Sequence, residues 1–220
     1  HNVAHSFPTR RSSDLAGTSA MFHAVASKLD ALERVEFESR EALRAWLEAH
    51  HERSPGIWLV TFRKDSGRGR LPYDEVVEEL LCVGWVDSLP RKLDEARTML
   101  LCTPRKPSSA WSKPNKERVA RLEAQGLMRP RGVAVVEAAR ASGKWTALDD
   151  VEALIEPPEL QAALDAVPAA RQSWDEFPRS AKRGILEWIV QAKAPETRAR
   201  RVAETVRRAA VGERANQWRR

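Results

Sequence analysis

The chain is expected to fold as an α+β protein: a small, mainly antiparallel sheet with two helices, followed by a helical C-terminal region. Three observations point there. Short runs rich in β-branched and aromatic residues end by Cys102. From Ser112 onward the apolar spacing is almost wholly helical. The order of these segments, β-α-β-α-β-β and then six or so helices, separates strands from helices as α+β folds do.

Val35-Glu36-Phe37 reads as a short strand, and Ser39 then caps a helix to about His50 whose face is Leu43, Trp46 and Leu47. Ile57–Arg63 is the strongest strand signal. Lys64–Arg70 is a charged, Gly-rich loop. Its spacing is not that of a P-loop, so no backbone phosphate cradle is expected. Pro72–Val83 is a helix with Val76, Val77, Leu80 and Leu81 inward, ended by Gly84 in a left-handed turn. Trp85–Leu93 and Ala96–Cys102 are two further strands joined near Asp94-Glu95.

Ser112 is expected to cap a helix to Gln125, with Gly126 at its end, and Pro130–Ala141 forms its partner, closed by Gly143. Asp149–Pro158 reads as a linker. Helices follow over Pro158–Val167, Arg171–Phe177, Ser180–Ala192 and Pro195 to about Ala210. On the last, Ala199, Val202, Ala203, Val206 and Ala210 are expected to face inward, and Arg200, Arg201, Arg207 and Arg208 outward. The domain reading is therefore an artefact or disordered leader over 1–20, an α+β domain over 35–150, and a helical region over 158–212 packed on it.

Composition narrows the function. At 220 residues with 42% hydrophobic and 31% charged residues, the chain can bury a core without disulfides or a structural metal. No run of about 18 apolar residues exists, so no membrane insertion is expected. Cys82 and Cys102 have neither metal-knuckle nor redox-pair spacing and suit a reducing, cytoplasmic setting. The net charge of +6 is uneven: residues 195–220 hold eight Arg against three Glu. That basic helix reads as a solvated face, and nucleic acid is not an expected partner.

The opening segment is a separate matter. Ser6–Leu15, SFPTRRSSDL, resembles one reading frame of a common sequencing adapter, so residues 1–15 are left out of the fold and Met21 is the expected start. Thr9-Arg10-Arg11 before a mild apolar stretch imitates an export signal, but Thr18, Ser19 and His23 interrupt that stretch.

Two segments could carry chemistry. In Cys82-Val83-Gly84-Trp85-Val86-Asp87-Ser88 a helix ends and a strand leaves, and alternation puts Trp85 and Asp87 on one face. An aromatic wall beside a carboxylate can floor a polar ligand site; the plainer reading makes Trp85 core and Asp87 a backbone cap. In the loop from Thr103 to Asn115, two prolines stiffen a connector offering Arg105 as a planar fork, Trp111 as a stacking face and Asn115 as a donor–acceptor pair. The plainer reading there is a rigid connector with Trp111 as a plug. His50-His51 lacks the ligand spacing for a metal, and the serines Ser88, Ser109 and Ser112 lack a downstream His, so neither a metal site nor a serine triad is expected. The candidate ligand-binding set is Trp85, Asp87, Ser88, Arg105, Trp111 and Asn115, with no cofactor.

Trp58, the segment 82–88, Thr103-Pro104-Arg105-Lys106-Pro107, Trp111-Ser112-Lys113-Pro114-Asn115 and Ala192–Arg201 (AKAPETRARR) occur in an order that resembles the bacterial YdeI/OmpD-associated, or bacteriocin-protection, family over about residues 35–212. The resemblance implies a stress-tolerance protein, protecting against bacteriocins or cationic antimicrobial peptides. It implies an outer-membrane porin as partner through the family name alone, and no catalytic residues. The family is also described as periplasmic. The strand Ala96–Cys102 lacks the aromatic that similar proteins place after its Arg. Two function classes follow: a protein that acts by binding a partner or small polar ligand, and an enzyme acting on a small polar substrate at a Trp/Asp/Arg pocket.

Overall fold

The computed structural model describes residues 28–216. The adapter-like segment, the expected start at Met21 and Trp218 lie outside them. The described residues divide into two compact units, one up to Arg105 and one from Lys106 onward.

The first unit is built on a four-stranded sheet: β1 (Arg34–Glu36), β2 (Ile57–Phe62), β3 (Trp85–Lys92) and β4 (Arg97–Pro104), in the order β1-β2-β4-β3. β1 runs parallel to β2, and the other two pairings are antiparallel. The parallel pair is joined through helix α1 (Arg40–His50), since parallel neighbours need a crossover. Ser39 caps α1 as expected, its side chain accepting from the Ala42 N–H at 3.2 Å. Helix α2 (Tyr73–Cys82) then leads through Gly84, at φ +73°, into β3.

The period-2 pattern of β2 shows in its burial. Ile57 and Leu59 join Phe37, Leu43, Leu47, Val76, Leu80, Trp85 and Cys102 in the core under α1 and α2. Trp58 and Val60 meet Met99 and Leu101 on the opposite face, where Leu29 and Leu32 pack on them. Buried Glu79 was not expected on the inward face of α2. Arg44 reaches it at 2.6 and 3.0 Å and Arg40 at 2.6 Å, tying α1 to α2 by charge-assisted bonds.

The second unit is helical: α3 (Lys113–Ala124), α4 (Pro130–Ala141), α5 (Asp149–Glu152), α6 (Pro158–Asp165), α7 (Pro168–Glu176), α8 (Arg179–Val190) and α9 (Pro195–Ala209). Its core includes Val151, Leu160, Leu164, Trp174, Ile185, Leu186, Ile189 and Val202. Three expectations need correction here. The stretch 149–158 is not wholly a linker: Asp149–Glu152 forms a helical turn, because Leu148 and Val151 are buried in the core and hold it down. Ser112 stands at the N-cap of α3, but its side chain makes no capping bond. Pro114, at the second helical position, removes one of the two N–H groups a cap addresses.

The third correction concerns α9, whose inward face is Val202, Thr205 and Ala209. Val206 and Ala210 are half-buried, whereas Ala199 and Ala203 are exposed. A buried Thr is tolerated because its hydroxyl donates to Arg201 O at 2.8 Å. Of the four arginines, Arg200 and Arg207 are exposed, while Arg201 lies over the Trp188 ring at 5.0 Å and is half-buried.

Candidate functional site

Asp87 is opposite Cys102 in the β3–β4 ladder, and both side chains face α2. The Tyr73 hydroxyl, at the start of α2, donates to Asp87 Oδ2 at 2.8 Å. This meeting follows from connectivity: α2 ends at Cys82 and β3 runs back along it, so the first residue of the helix comes level with the middle of the strand. Ser88 follows on the exposed edge and its hydroxyl donates to Leu101 O at 3.4 Å.

Between Asp87 and Pro90 the ladder slips by one residue. Asp87 opposes Cys102 and Pro90 opposes Leu100, so β3 carries a bulge at Ser88-Leu89. The extra residue reverses the side-chain parity. Pro90 and Lys92 now share the Asp87 face, and Arg91 turns to the other, where its guanidinium stacks 4.6 Å over Trp58 and pairs with Asp30 at 2.9 Å. Leu89 is left at the exposed edge.

The result is a cleft of about 810 Å³ in the first unit. Leu59, Leu71, Val76 and Leu100 form its apolar lining, Asp87, Ser88 and Tyr73 one end, and Thr61, Thr98, Lys92, Arg63, Lys64 and Arg70 the other. The residue after Arg97, where an aromatic was noted as missing, is Thr98 and belongs to this lining.

Trp85 shares the Asp87 face but is fully buried, beneath the edge of Trp46 at 6.2 Å, and its indole N–H donates to His51 O at 3.2 Å. Arg105 is buried just past the end of β4, held by its own N–H to Gly84 O at 3.0 Å. Burial lowers its pKa to about 10 against the pull of the Asp87 carboxylate. Its guanidinium therefore stays charged at neutral pH and stands in the field of Asp87. Burial also pushes the Cys102 thiol up, and Asp87 adds to that shift, so the thiolate is suppressed.

Trp111 and Asn115 belong to the second unit. Trp111 is buried, its N–H donates to Lys144 O at 3.3 Å, and its ring lies 5.0 Å from Trp145. Asn115 Oδ1 accepts from Arg118 at 3.0 Å. The structure thus brings Asp87 and Ser88 together at one cleft, and gives Trp85 and Trp111 packed positions within their own units.

Sequence reasoning missed Tyr73 and the cations Arg63, Lys64 and Arg70. Tyr73 had one available signal, being the only Tyr in the chain and following a Pro at a helix start. Lys64 and Arg70 sit in the loop that lacks P-loop spacing, and Arg63 ends the strand segment before it.

Residues 35–135 match a domain described only as of unknown function. That span contains Trp58, the 82–88 motif and the Thr103–Asn115 loop. No curated protein and no solved structure matches the chain. None of the described helices is long and apolar enough to cross a membrane. The stretch Ala192–Arg201 falls within a second match, in which residues 153–212 are similar to the family described as bacteriocin-protection, YdeI or OmpD-associated.

Proposed function

We propose that this protein supports bacterial tolerance of bacteriocins or cationic antimicrobial peptides by binding a small ligand in the cleft beside Asp87. The observation that carries the reading is the cleft itself, concave and largely apolar, with a hydrogen-bonded carboxylate at one end and cations at the other. Its volume lies within the roughly 300–1,000 Å³ usual for small-molecule sites. The family match over 153–212 supports the physiological setting. Cys82 and Cys102 are buried and not joined in a disulfide, which suits the cytoplasm as the place of action.

A thermal-shift screen of small polar and amphipathic compounds, run in parallel on Asp87→Ala, tests this reading. A ligand of the native state raises the melting temperature by mass action, and the variant should lose that response. Cells producing the variant should also lose tolerance of a cationic antimicrobial peptide while the protein stays folded. A response retained in Asp87→Ala, or intact tolerance, would reject the cleft as the site.

A further inference from the structure

The cleft is polar at its ends and apolar between them. Along the sheet it begins at Asp87, whose ladder neighbours Cys102 and Ile57 are fully buried, passes Pro90–Leu100–Leu59, and reaches Lys92–Thr98–Thr61, beyond which Arg63 and Lys64 leave β2. Asp87 and Lys92 are five residues apart in an extended strand, so the ends are separated by about 15 Å. Leu59, Leu71 and Val76 are buried and Leu100 is half-buried along that path.

Charge at the loop end is unbalanced. Arg68 is held by Glu38 and lies over Phe62; Arg97 is held by Glu36 and Asp94; Lys92 is held by Glu95. Arg63, Lys64 and Arg70 line the cleft and, among the described residues, enter no ion pair. Asp65 lies in the same turn as Lys64 but is not part of the lining. Three like charges at the rim of a low-dielectric wall create a field that favours an anion. The apolar lining between the ends favours a hydrocarbon body.

We propose that the cleft takes a single-chain anionic amphiphile, its acidic head among Arg63, Lys64 and Arg70 and its chain along Leu59, Leu71, Val76 and Leu100. This rests on the assignment of the cleft as the ligand site. The head lies at the end that holds the cations, and the Tyr73–Asp87 hydrogen bond closes the other end around the chain, so Asp87→Ala should weaken binding as well.

Isothermal titration with dodecyl phosphate below its micellar range tests the proposal, with dodecyltrimethylammonium and inorganic phosphate as comparisons. The variant Arg63→Gln/Lys64→Gln/Arg70→Gln alters three exposed side chains and should keep its melting temperature. Dodecyl phosphate should bind, and the triple variant should weaken it about tenfold or more, with the difference shrinking as salt rises. A second variant, Thr61→Trp, should block binding by filling the cleft. Equal affinity for the two dodecyl head groups, equal affinity for inorganic phosphate, or an unchanged triple variant would overturn the proposal. Sedimentation with phosphatidylglycerol vesicles without binding of the monomeric amphiphile would also overturn it, making the cations a membrane-surface patch. If other compounds bind in an Asp87-dependent way and dodecyl phosphate does not, the amphiphile falls and the cleft stands. If nothing binds the wild-type chain, both fall.

Discussion

Glu79 joins a buried position to a charge, and the pair Arg40 and Arg44 makes that combination stable. Burial pushes its carboxyl up, but hydrogen bonds and attraction from Arg44 and Arg40 outweigh this and leave it below the ordinary value of 4.5. A carboxyl with a lowered folded pKa contributes stability that is present above the unfolded value and is lost as pH falls through the folded one. Glu79→Gln should therefore flatten the fall of the melting temperature below pH 4.5, and should cost about 2 kcal/mol at pH 7. A parallel acid profile for wild type and variant in thermal melts would contradict this. Gly84 is the other position where one residue decides the local path. Its φ of +73° lies where a β-branched side chain is strained, between the end of α2 and the start of β3. Gly84→Val should lose roughly 1–3 kcal/mol in denaturant melts, and a neutral result would mean that the turn relaxes freely.

At the level of elements, β3 and α9 show where a periodic reading slips. In β3, strict alternation would carry the Trp85–Asp87 face on to Leu89 and Arg91. The bulge instead places Pro90 and Lys92 there. Pro90 is acceptable because β3 is an edge strand. In α9, the alanines Ala199 and Ala203 fit a helical stripe as well as Thr205 and Ala209 do, and packing against α6, α7 and α8 selects the latter. Val202→Ala should therefore cost about 1–3 kcal/mol, whereas Ala203→Leu should stay within about 0.5 kcal/mol. Equal losses for the two would return the inward face to the alanine stripe.

α7 is anchored differently. Glu156 accepts from Arg171 at 2.9 and 2.8 Å and from the Trp174 indole at 2.7 Å. The Arg171 bonds hold its carboxyl below the usual range against the effect of burial. Arg171→Met should remove both bonds and raise that carboxyl toward its ordinary value, which NMR titration of Glu156 would show.

For the molecule as a whole, each unit has its own core: one under α1 and α2 with a second on the other sheet face, and one among α5 to α9. A fragment of residues 106–216 should accordingly melt cooperatively by near-UV circular dichroism, with the Trp174 environment intact. A featureless melt would show that this core does not suffice on its own.

Much of this was decided locally and so was legible in the sequence. The order of strands and helices, the Ser39 cap, the left-handed Gly84 and the shared face of Trp85 and Asp87 depend on steric preferences and on the periods 2.0 and 3.6, which are properties of neighbouring residues. The motif AKAPETRARR likewise sits in the segment that matches the bacteriocin-protection family. What only the tertiary structure decided depends on residues far apart in the chain. The bulge is a mismatch between two strands, Glu79 is buried only because α1 supplies two arginines, and the cleft exists only because Tyr73, Asp87, Leu100 and the 63–70 loop are folded onto one face. Burial and charge balance are sums over neighbours in space, and a linear pattern lists only neighbours in sequence.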